Sequence, residues 1–241
     1  MLITIYFKQL FYFSTLLTMN LLEVLKLWDT NLFLLINGFH APIFDGIMFA
    51  ISAKLVWIPF YLAIIYEVIK RWNREAIWII IALILCIVIA DQLSSGLIKD
   101  LVQRPRPSHA QNLQGLVHLV NGYGGGRFGF VSSHAANSFG FALLSSMLFR
   151  NKIYTTSIFI WATVTAYSRI YLGVHYPLDI LGGILVGLFA AYTCFFVIKK
   201  LRPSLLELHL NVNYEQSKTI IPLTALGLSF IAIVVYSISI L

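Results

Sequence analysis

The sequence has few charged residues. Only 11% of its 241 residues are Asp, Glu, Lys or Arg, whereas 59% are hydrophobic, and the mean hydropathy is +0.83. So few charges cannot coat a soluble globule of this length, and the long apolar runs instead predict a polytopic membrane protein. We expect an all-α fold, a transmembrane helical bundle with about six spans.

Cysteine and acidic residues are also scarce. The two cysteines, Cys86 and Cys194, lie inside apolar runs, which indicates free, buried thiols rather than a disulfide framework. There are 10 acidic residues against 17 Lys and Arg, which gives a net charge of +7. The basic residues are scattered over short loops, so we expect no nucleic-acid partner. The sequence shows no sign of an obligate protein partner either.

The N-terminal segment, residues 1–44, is predicted to be distinct from the rest. Residues 1–18 are compatible with a signal sequence, a first membrane helix or an extension upstream of Met19, although no small-x-small cleavage site follows them. Residues 20–40 mix charges with leucines and are typical of an amphipathic segment on the membrane surface.

The predicted transmembrane core covers residues 45–200, and residues 201–241 add a polar connection and a last span. The expected spans are at about 45–69, 75–99, 134–149, 153–171, 177–198 and 219–241. Several are shorter than the roughly 20 residues of a full crossing. Their polar ends are therefore expected to face the protein interior rather than lipid.

Basic residues occur on both predicted sides of the membrane. Those in plain short connectors mark the cytoplasmic side by the positive-inside rule, and they are Lys70, Arg71, Arg74, Arg150, Lys152, Lys199, Lys200, Arg202 and Lys218. The opposite side carries Lys99, Arg104, Arg106, Arg127 and Arg169. This second group violates the rule, and an anionic substrate on the outward-facing side of the membrane would account for it.

Residues 168–179 join an arginine, a histidine and an aspartate at the mouth of a predicted helix. Pro177 suits a first helical turn, which puts Asp179 one turn after His175. A carboxylate there can hold one imidazole nitrogen and leave the other free as a nucleophile, with Arg169 as a fixed cation beside it. This arrangement suits attack on phosphorus. The alternative is a capping loop with an incidental ion pair.

A second candidate segment surrounds Arg106. Lys99 precedes it by seven positions, and the prolines at 105 and 107 stiffen the backbone on either side. A stiff loop allows a guanidinium to hold a phosphate with two prongs, while Lys99 adds a point charge. The alternative is that these cations snorkel from a helix end.

The third candidate segment, residues 129–134, enters the third predicted span. Ser132 and Ser133 can act as ordinary N-caps. Alternatively, the cap hydroxyl, the free N–H groups and the helix dipole form an anion seat, with His134 at its edge as a proton donor.

The three segments together are much more specific than any one of them, and they resemble the phosphatidic acid phosphatases of type 2. This family includes bacterial lipid phosphate phosphatases and, more distantly, vanadium haloperoxidases, and the resemblance covers roughly residues 45–200. It implies a phosphohistidine mechanism with no metal or other cofactor. His175 would attack phosphorus, Asp179 would orient it, and His134 would protonate the leaving group and then activate water. The implied phosphate-binding residues are Lys99, Arg106, Ser132, Ser133 and Arg169.

The sequence departs from the family pattern at the second segment. The family usually has Pro-Ser-Gly-His there, and Val131 and Ser133 replace the proline and the glycine. Ser133 can still donate its N–H if its φ is negative, because serine does not accept a positive φ cheaply.

Other polar residues have a structural explanation or no clear role. Asp91 lies within the second span, where we expect it to bind a neighbouring helix. His40, His109 and His118 occur in predicted surface segments without a carboxylate at a matching spacing, and the sequence shows no zinc-ligand pattern.

The leading functional hypothesis is a membrane phosphatase that removes an exposed phosphate from an envelope lipid. The candidates are lipid A, undecaprenyl pyrophosphate, phosphatidylglycerol phosphate and phosphatidate. Residues 126–130, Gly-Arg-Phe-Gly-Phe, are similar to a stretch in envelope phosphatases that act on lipid A. Two alternatives are a lipid-to-lipid phosphotransferase and a non-catalytic transporter or flippase that only binds anionic headgroups.

Overall fold

The computed structural model describes residues 20–207 and 219–239, and every regular element in that part of the chain is helical. The long helices are α1 Leu21–Gly38, α2 Pro42–Ser52, α3 Ile58–Trp72, α4 Ala76–Asp91, α5 Ser133–Phe149, α6 Lys152–Tyr171, α7 Pro177–Leu201 and α8 Ile220–Ser239. The predicted helical class is confirmed. The alternatives for residues 1–18 lie outside the described residues.

Among the described residues, three helical stretches are long and apolar enough to cross a membrane. They are Leu55–Val102, Pro177–Leu201 and Ile220–Ser239, and α1 with α2, bent by 117°, makes a fourth if the pair counts as one span. The first stretch has 48 residues, about 72 Å at the rise of an α-helix and roughly twice a hydrocarbon core. Asn73, with a φ of 51°, interrupts it between α3 and α4. The count of six spans stays a prediction.

The prediction of one continuous span at 45–69 is wrong. Helix α2 ends at Ser52, and the backbone of Ala53 is extended. A 3₁₀ turn, Leu55–Trp57, then leads into α3, which begins at Ile58. Pro59 therefore lies in the first turn of a new helix, where its missing N–H leaves no intrahelical bond unmade, rather than inside a long one.

The second predicted span changes its winding near its end. Helix α4 is followed by a π-helical segment, Gln92–Ile98, and then by a short α-helix, Lys99–Val102. Residues 103–132 form a loop with short 3₁₀ turns, which lies between the second and third predicted spans. The π segment ends directly before Lys99, so it sets the direction from which this lysine enters the loop region.

Helices α5 and α7 approach each other through glycines. A Cβ on Gly183 would lie 2.3 Å from the carbonyl oxygen of Ser132, and one on Gly187 would lie 2.3 Å from that of Ala136. No side chain fits at either position, so these two glycines allow the helices to pack closely. The contact places the N-terminus of α5 against the N-terminus of α7, where the Ser132 N–H donates to the Asp179 carbonyl at 2.8 Å.

Candidate active site

His175 and Asp179 form a buried pair at the start of α7. His175 is 1% exposed and Asp179 is fully buried, and the His175 Nδ1 lies 3.3 Å from the Asp179 Oδ2. The same carboxylate oxygen accepts the Tyr176 N–H at 3.0 Å, because Pro177 opens the helix and turns this N–H toward it. The geometry predicted from the proline and the four-residue spacing is therefore present.

The second nitrogen of His175 faces a guanidinium. The Arg106 Nη1 lies 3.1 Å from the His175 Nε2 and donates to the Val174 carbonyl at 3.1 Å, while the Arg106 Nε donates to the Phe128 carbonyl. Burial, reinforced by the positive charges of Arg106 and Arg169, holds the pKa of His175 well below its ordinary value of 6.5. The imidazole is therefore neutral at pH 7, as a nucleophile requires.

Arg169 occupies a different place from the one predicted for it. We expected its cation directly beside the free nitrogen of His175, where the structure has Arg106 instead. The Arg169 guanidinium donates to the hydroxyls of Ser52 and Tyr123. It still contributes positive charge to the site, and its side chain is 2% exposed. The difference arises because the contact partners come from α2 and the long loop, which are remote in sequence.

The remaining predicted residues lie at the N-terminus of α5. The Lys99 Nζ donates to the Ser133 hydroxyl at 3.1 Å, and the Ser132 hydroxyl caps the helix by accepting the Ala135 N–H at 3.4 Å. The His134 imidazole lies within electrostatic range of Arg169 and His175. All eight predicted site residues are thus gathered into one region, although three separate segments of the chain supply them.

A cavity of about 270 Å³ adjoins this region. It is lined by Ser133 and His134 at one end and by Trp57, Tyr61 and Trp161 toward the helix core. A polar mouth with an aromatic interior suits a molecule whose phosphate is attached to a less polar body.

Two charged residues that the sequence analysis did not assign to the site contact it. Arg104 donates to the Asp179 Oδ1 at 2.9 Å and to the Asp29 Oδ2 at 2.7 Å. Arg104 and Pro105 form an Arg-Pro pair directly before Arg106 and Pro107. This repetition is a sequence signal that could have identified Arg104. Asp29 carries no such signal, because it is one of several charges in an amphipathic segment.

Other predicted placements have mixed outcomes. Asp91 accepts a hydrogen bond from the Asn137 side chain on α5 at 3.2 Å, as its expected role between helices requires. His118 does have a carboxylate partner, Asp45, at 2.9 Å, which sequence spacing did not reveal. Across residues 20–207 and 219–239, no three His, Cys, Asp or Glu side chains are grouped as metal ligands would be.

Comparison with known proteins identifies the family. The sequence model of the PAP2 superfamily matches residues 75–203, which is more than half of the chain and includes all three motif segments. The chain belongs to the PAP2 superfamily. The family resemblance inferred from the motifs is confirmed.

The relatives of this PAP2 protein include several lipid phosphatases. It is 37% identical to the lipid A 4'-phosphatase of Bacteroides thetaiotaomicron over 90% of this chain and 93% of that one. It is 42% identical to the lipid A 4'-phosphatase of Porphyromonas gingivalis over 68% of this chain and 70% of that one. The undecaprenyl-diphosphatase BcrC of Bacillus subtilis is 31% identical over 48% of this chain and 56% of that one.

Solved structures agree with the PAP2 fold. The crystal structure of Aquifex aeolicus LpxE superimposes with a TM-score of 0.57 and 27% identity, covering 69% of this chain and 93% of that one. The PAP2-type phosphatidylglycerolphosphate phosphatase of Bacillus subtilis has the same TM-score at 18% identity, with 81% and 95% covered. The similarity to the second structure, at 18% identity, shows the fold alone.

The apolar helices and the membership of this family together show that the chain is an integral membrane protein.

Proposed function

We propose that this protein hydrolyses a phosphate monoester of lipid A through a phosphohistidine intermediate, and that its active site faces the periplasm. Its membership of the family and the relatives above confirm the prediction of a membrane lipid phosphatase, whereas the particular lipid, the mechanism and the orientation are our proposal. The observation that carries the mechanism is the neutral, buried His175, with a carboxylate at one ring nitrogen and a guanidinium at the other. The extensive matches to two lipid A 4'-phosphatases support the choice of lipid.

The proposed reaction has two displacements at phosphorus. The His175 Nε2 attacks, the N–P bond forms and the P–O bond to the lipid breaks. Burial and the positive charge of Arg169 lower the pKa of His134 to about 2, so His134 takes up its proton together with the anionic phosphate, whose charge favours the imidazolium, and then gives this proton to the departing oxygen. His134, now neutral, then takes a proton from water, whose oxygen attacks the phosphohistidine and releases inorganic phosphate. Asp179 holds the Nδ1 proton throughout, so that Nε2 carries the lone pair.

The proposed phosphate seat is a ring of fixed donors. Arg106 is already at the attacking nitrogen, Lys99 lies at the Ser133 hydroxyl, and the Nε of Arg169 is buried without a hydrogen-bond partner among the described residues. A buried donor without a partner is costly, and a phosphoryl oxygen would satisfy it. Such donors stabilise the charge that spreads over the phosphoryl oxygens in the transition state.

The substitution at Ser133 is compatible with the proposed phosphate seat. This residue begins α5 and does not adopt a positive φ, so it keeps its N–H at the helix terminus as serine readily can.

We place the catalytic groups within residues 45–200, as the motif positions indicate. The outward orientation is supported by the two sets of basic residues. Those in the short connectors follow the positive-inside rule and mark the cytoplasmic side, whereas those at the site lie on the opposite side, where the rule does not account for them.

The substrate proposal predicts a specific lipid preference. Purified protein in detergent, given lipid A, undecaprenyl pyrophosphate, phosphatidylglycerol phosphate and phosphatidate separately, should release phosphate fastest from lipid A. The rate should be unchanged by EDTA, because side chains alone supply the charge at phosphorus. Fastest release from undecaprenyl pyrophosphate would favour the activity named for the Bacillus subtilis relative, and loss of activity on chelation would contradict the mechanism.

Asp179→Asn tests the role of the carboxylate. An amide in this position can donate to Nδ1 and stabilise the wrong tautomer, so kcat should fall by about 10³- to 10⁴-fold with little change in KM. Steady-state phosphate release at saturating lipid measures the change. A loss confined to KM would instead assign Asp179 to substrate binding.

A further inference from the structure

The amphipathic helix α1 turns two of its polar residues, Asp29 and Asn37, toward the protein. Asp29, Phe33 and Asn37, spaced four residues apart, are the buried residues of this helix, and Asp29 is 4% exposed. Its opposite side exposes large apolar side chains, which are Leu21, Leu22, Leu25, Trp28, Leu32 and Leu35. In an integral membrane protein, lipid covers such a face. The Asp29 carboxylate is turned away from it and buried in the protein, and a charge in that position indicates a specific partner.

Asp29 makes two strong hydrogen bonds near the catalytic pair. Its Oδ2 accepts from the Arg104 guanidinium at 2.7 Å, and its Oδ1 accepts from the Leu178 N–H at 2.8 Å. Leu178 is the residue before Asp179, in the first turn of α7. Asp29 therefore holds both the backbone next to the catalytic carboxylate and the arginine that contacts it.

Arg104 connects two buried carboxylates. One nitrogen donates to Asp29 and the other to the Asp179 Oδ1, and the guanidinium lies 3.9 Å from the centroid of the Tyr176 ring. The Asp179 Oδ1 is thereby occupied, so that the Oδ2 is the oxygen that faces His175. A buried charge without a partner is strongly destabilising, so each member of this chain fixes the next.

The other end of α1 is attached to the same loop. The Asn37 Nδ2 donates to the carbonyls of Tyr171 at 2.8 Å and Ile170 at 3.3 Å, and its Oδ1 accepts the His118 N–H. The loop that carries His175 connects the end of α6, where these carbonyls lie, to the first turn of α7, which contains Leu178. Both of its ends are thus held by one helix.

We propose that Asp29 and Arg104 are positioning residues, which act through Asp179 to fix the orientation of the nucleophile His175. The inference rests on the proposed function. Through Asp29, helix α1 then helps to hold the catalytic carboxylate in place. Without Asp29, Arg104 keeps a single carboxylate and is free to turn away from Asp179, toward the nearby phosphate seat.

The test compares kcat and KM of the full-length protein for Asp29→Asn, Asp179→Asn and the double variant. Asp29→Asn should lower kcat about 10- to 100-fold, as loss of a supporting hydrogen bond does at other buried sites, with KM changed less than about twofold. In the Asp179→Asn background, Asp29→Asn should lower kcat less than about twofold, because Asp29 acts on His175 by way of the Asp179 carboxylate. Glu23→Gln, on the exposed side of α1, keeps the capping box and should leave kcat unchanged.

Full kcat in Asp29→Asn, or losses that multiply independently in the double variant, would overturn the proposal. If Asp29→Asn does not fold, Arg104→Lys decides, since a single ammonium cannot reproduce the two-pronged bridge and kcat should fall without a change in KM. An unchanged kcat in Arg104→Lys would then refute it. A His175→Ala variant that still releases phosphate would refute the proposed function, which separates the two failures.

Discussion

Replacing His175 with alanine should lower phosphate release from lipid A by at least about 10⁴-fold, because the proposed nucleophile is lost. Asp179 and Arg106, which contact the two ring nitrogens, would both remain in place. The measurement is release of inorganic phosphate by purified protein, together with retention of lipid binding. Retained binding with no release also distinguishes an enzyme from a lipid transporter.

The control for this variant is His40→Ala. His40 is exposed and stacks on the His118 ring with centroids 3.7 Å apart, away from the catalytic pair. This variant should keep the full rate. If His175→Ala retains substantial activity while His40→Ala is normal, the phosphohistidine mechanism is excluded and direct attack by water takes its place.

Gly183→Ala should both destabilise the protein and inactivate it. The added Cβ would lie 2.3 Å from the Ser132 carbonyl oxygen and 3.0 Å from the Ala135 side chain, so α5 and α7 must separate. Overpacking of this kind costs about 1–3 kcal/mol or more, which corresponds to a Tm lower by roughly 5 °C. Because Ser132 and His134 move with the start of α5, the rate should fall by about 10²-fold. Thermal unfolding in detergent and phosphate release measure the two effects.

Gly227→Ala provides the matched control. Gly227 is an exposed glycine within α8, and a Cβ there would meet no atom within 4 Å. Alanine favours a helix over glycine, so Tm should stay the same or rise, and activity should be unchanged. Equal losses in the two variants would show that the interface between α5 and α7 has no special role.

Much of the candidate site could be predicted because its chemistry depends on local spacing. Pro177 starts a helix, and four residues separate His175 from Asp179, so the pair forms whatever surrounds it. The helix bounds near residues 133, 152, 177 and 220 follow apolar runs in the same way. The break at residues 53–57 was missed because a proline inside an apolar run is compatible with either a kink or a new start.

Contacts between remote segments could not be predicted. Sequence spacing gave no reason for Arg106 rather than Arg169 to lie at the His175 Nε2, since both are cations near the same predicted interface. The burial of Asp29 was equally hidden, because the apolar face of α1 lies outward and the usual inference from amphipathicity is reversed.

The amino-acid sequence by itself determined a helical membrane protein with a phosphatase motif set, since apolar run length, helix capping and short spacings are properties of neighbouring residues. The tertiary structure decided which cation contacts the nucleophile, and it joined α1 to the catalytic carboxylate through Arg104. The reason is physical: a buried charge requires a partner, and in a folded helical bundle that partner is chosen by how the helices pack rather than by position along the chain.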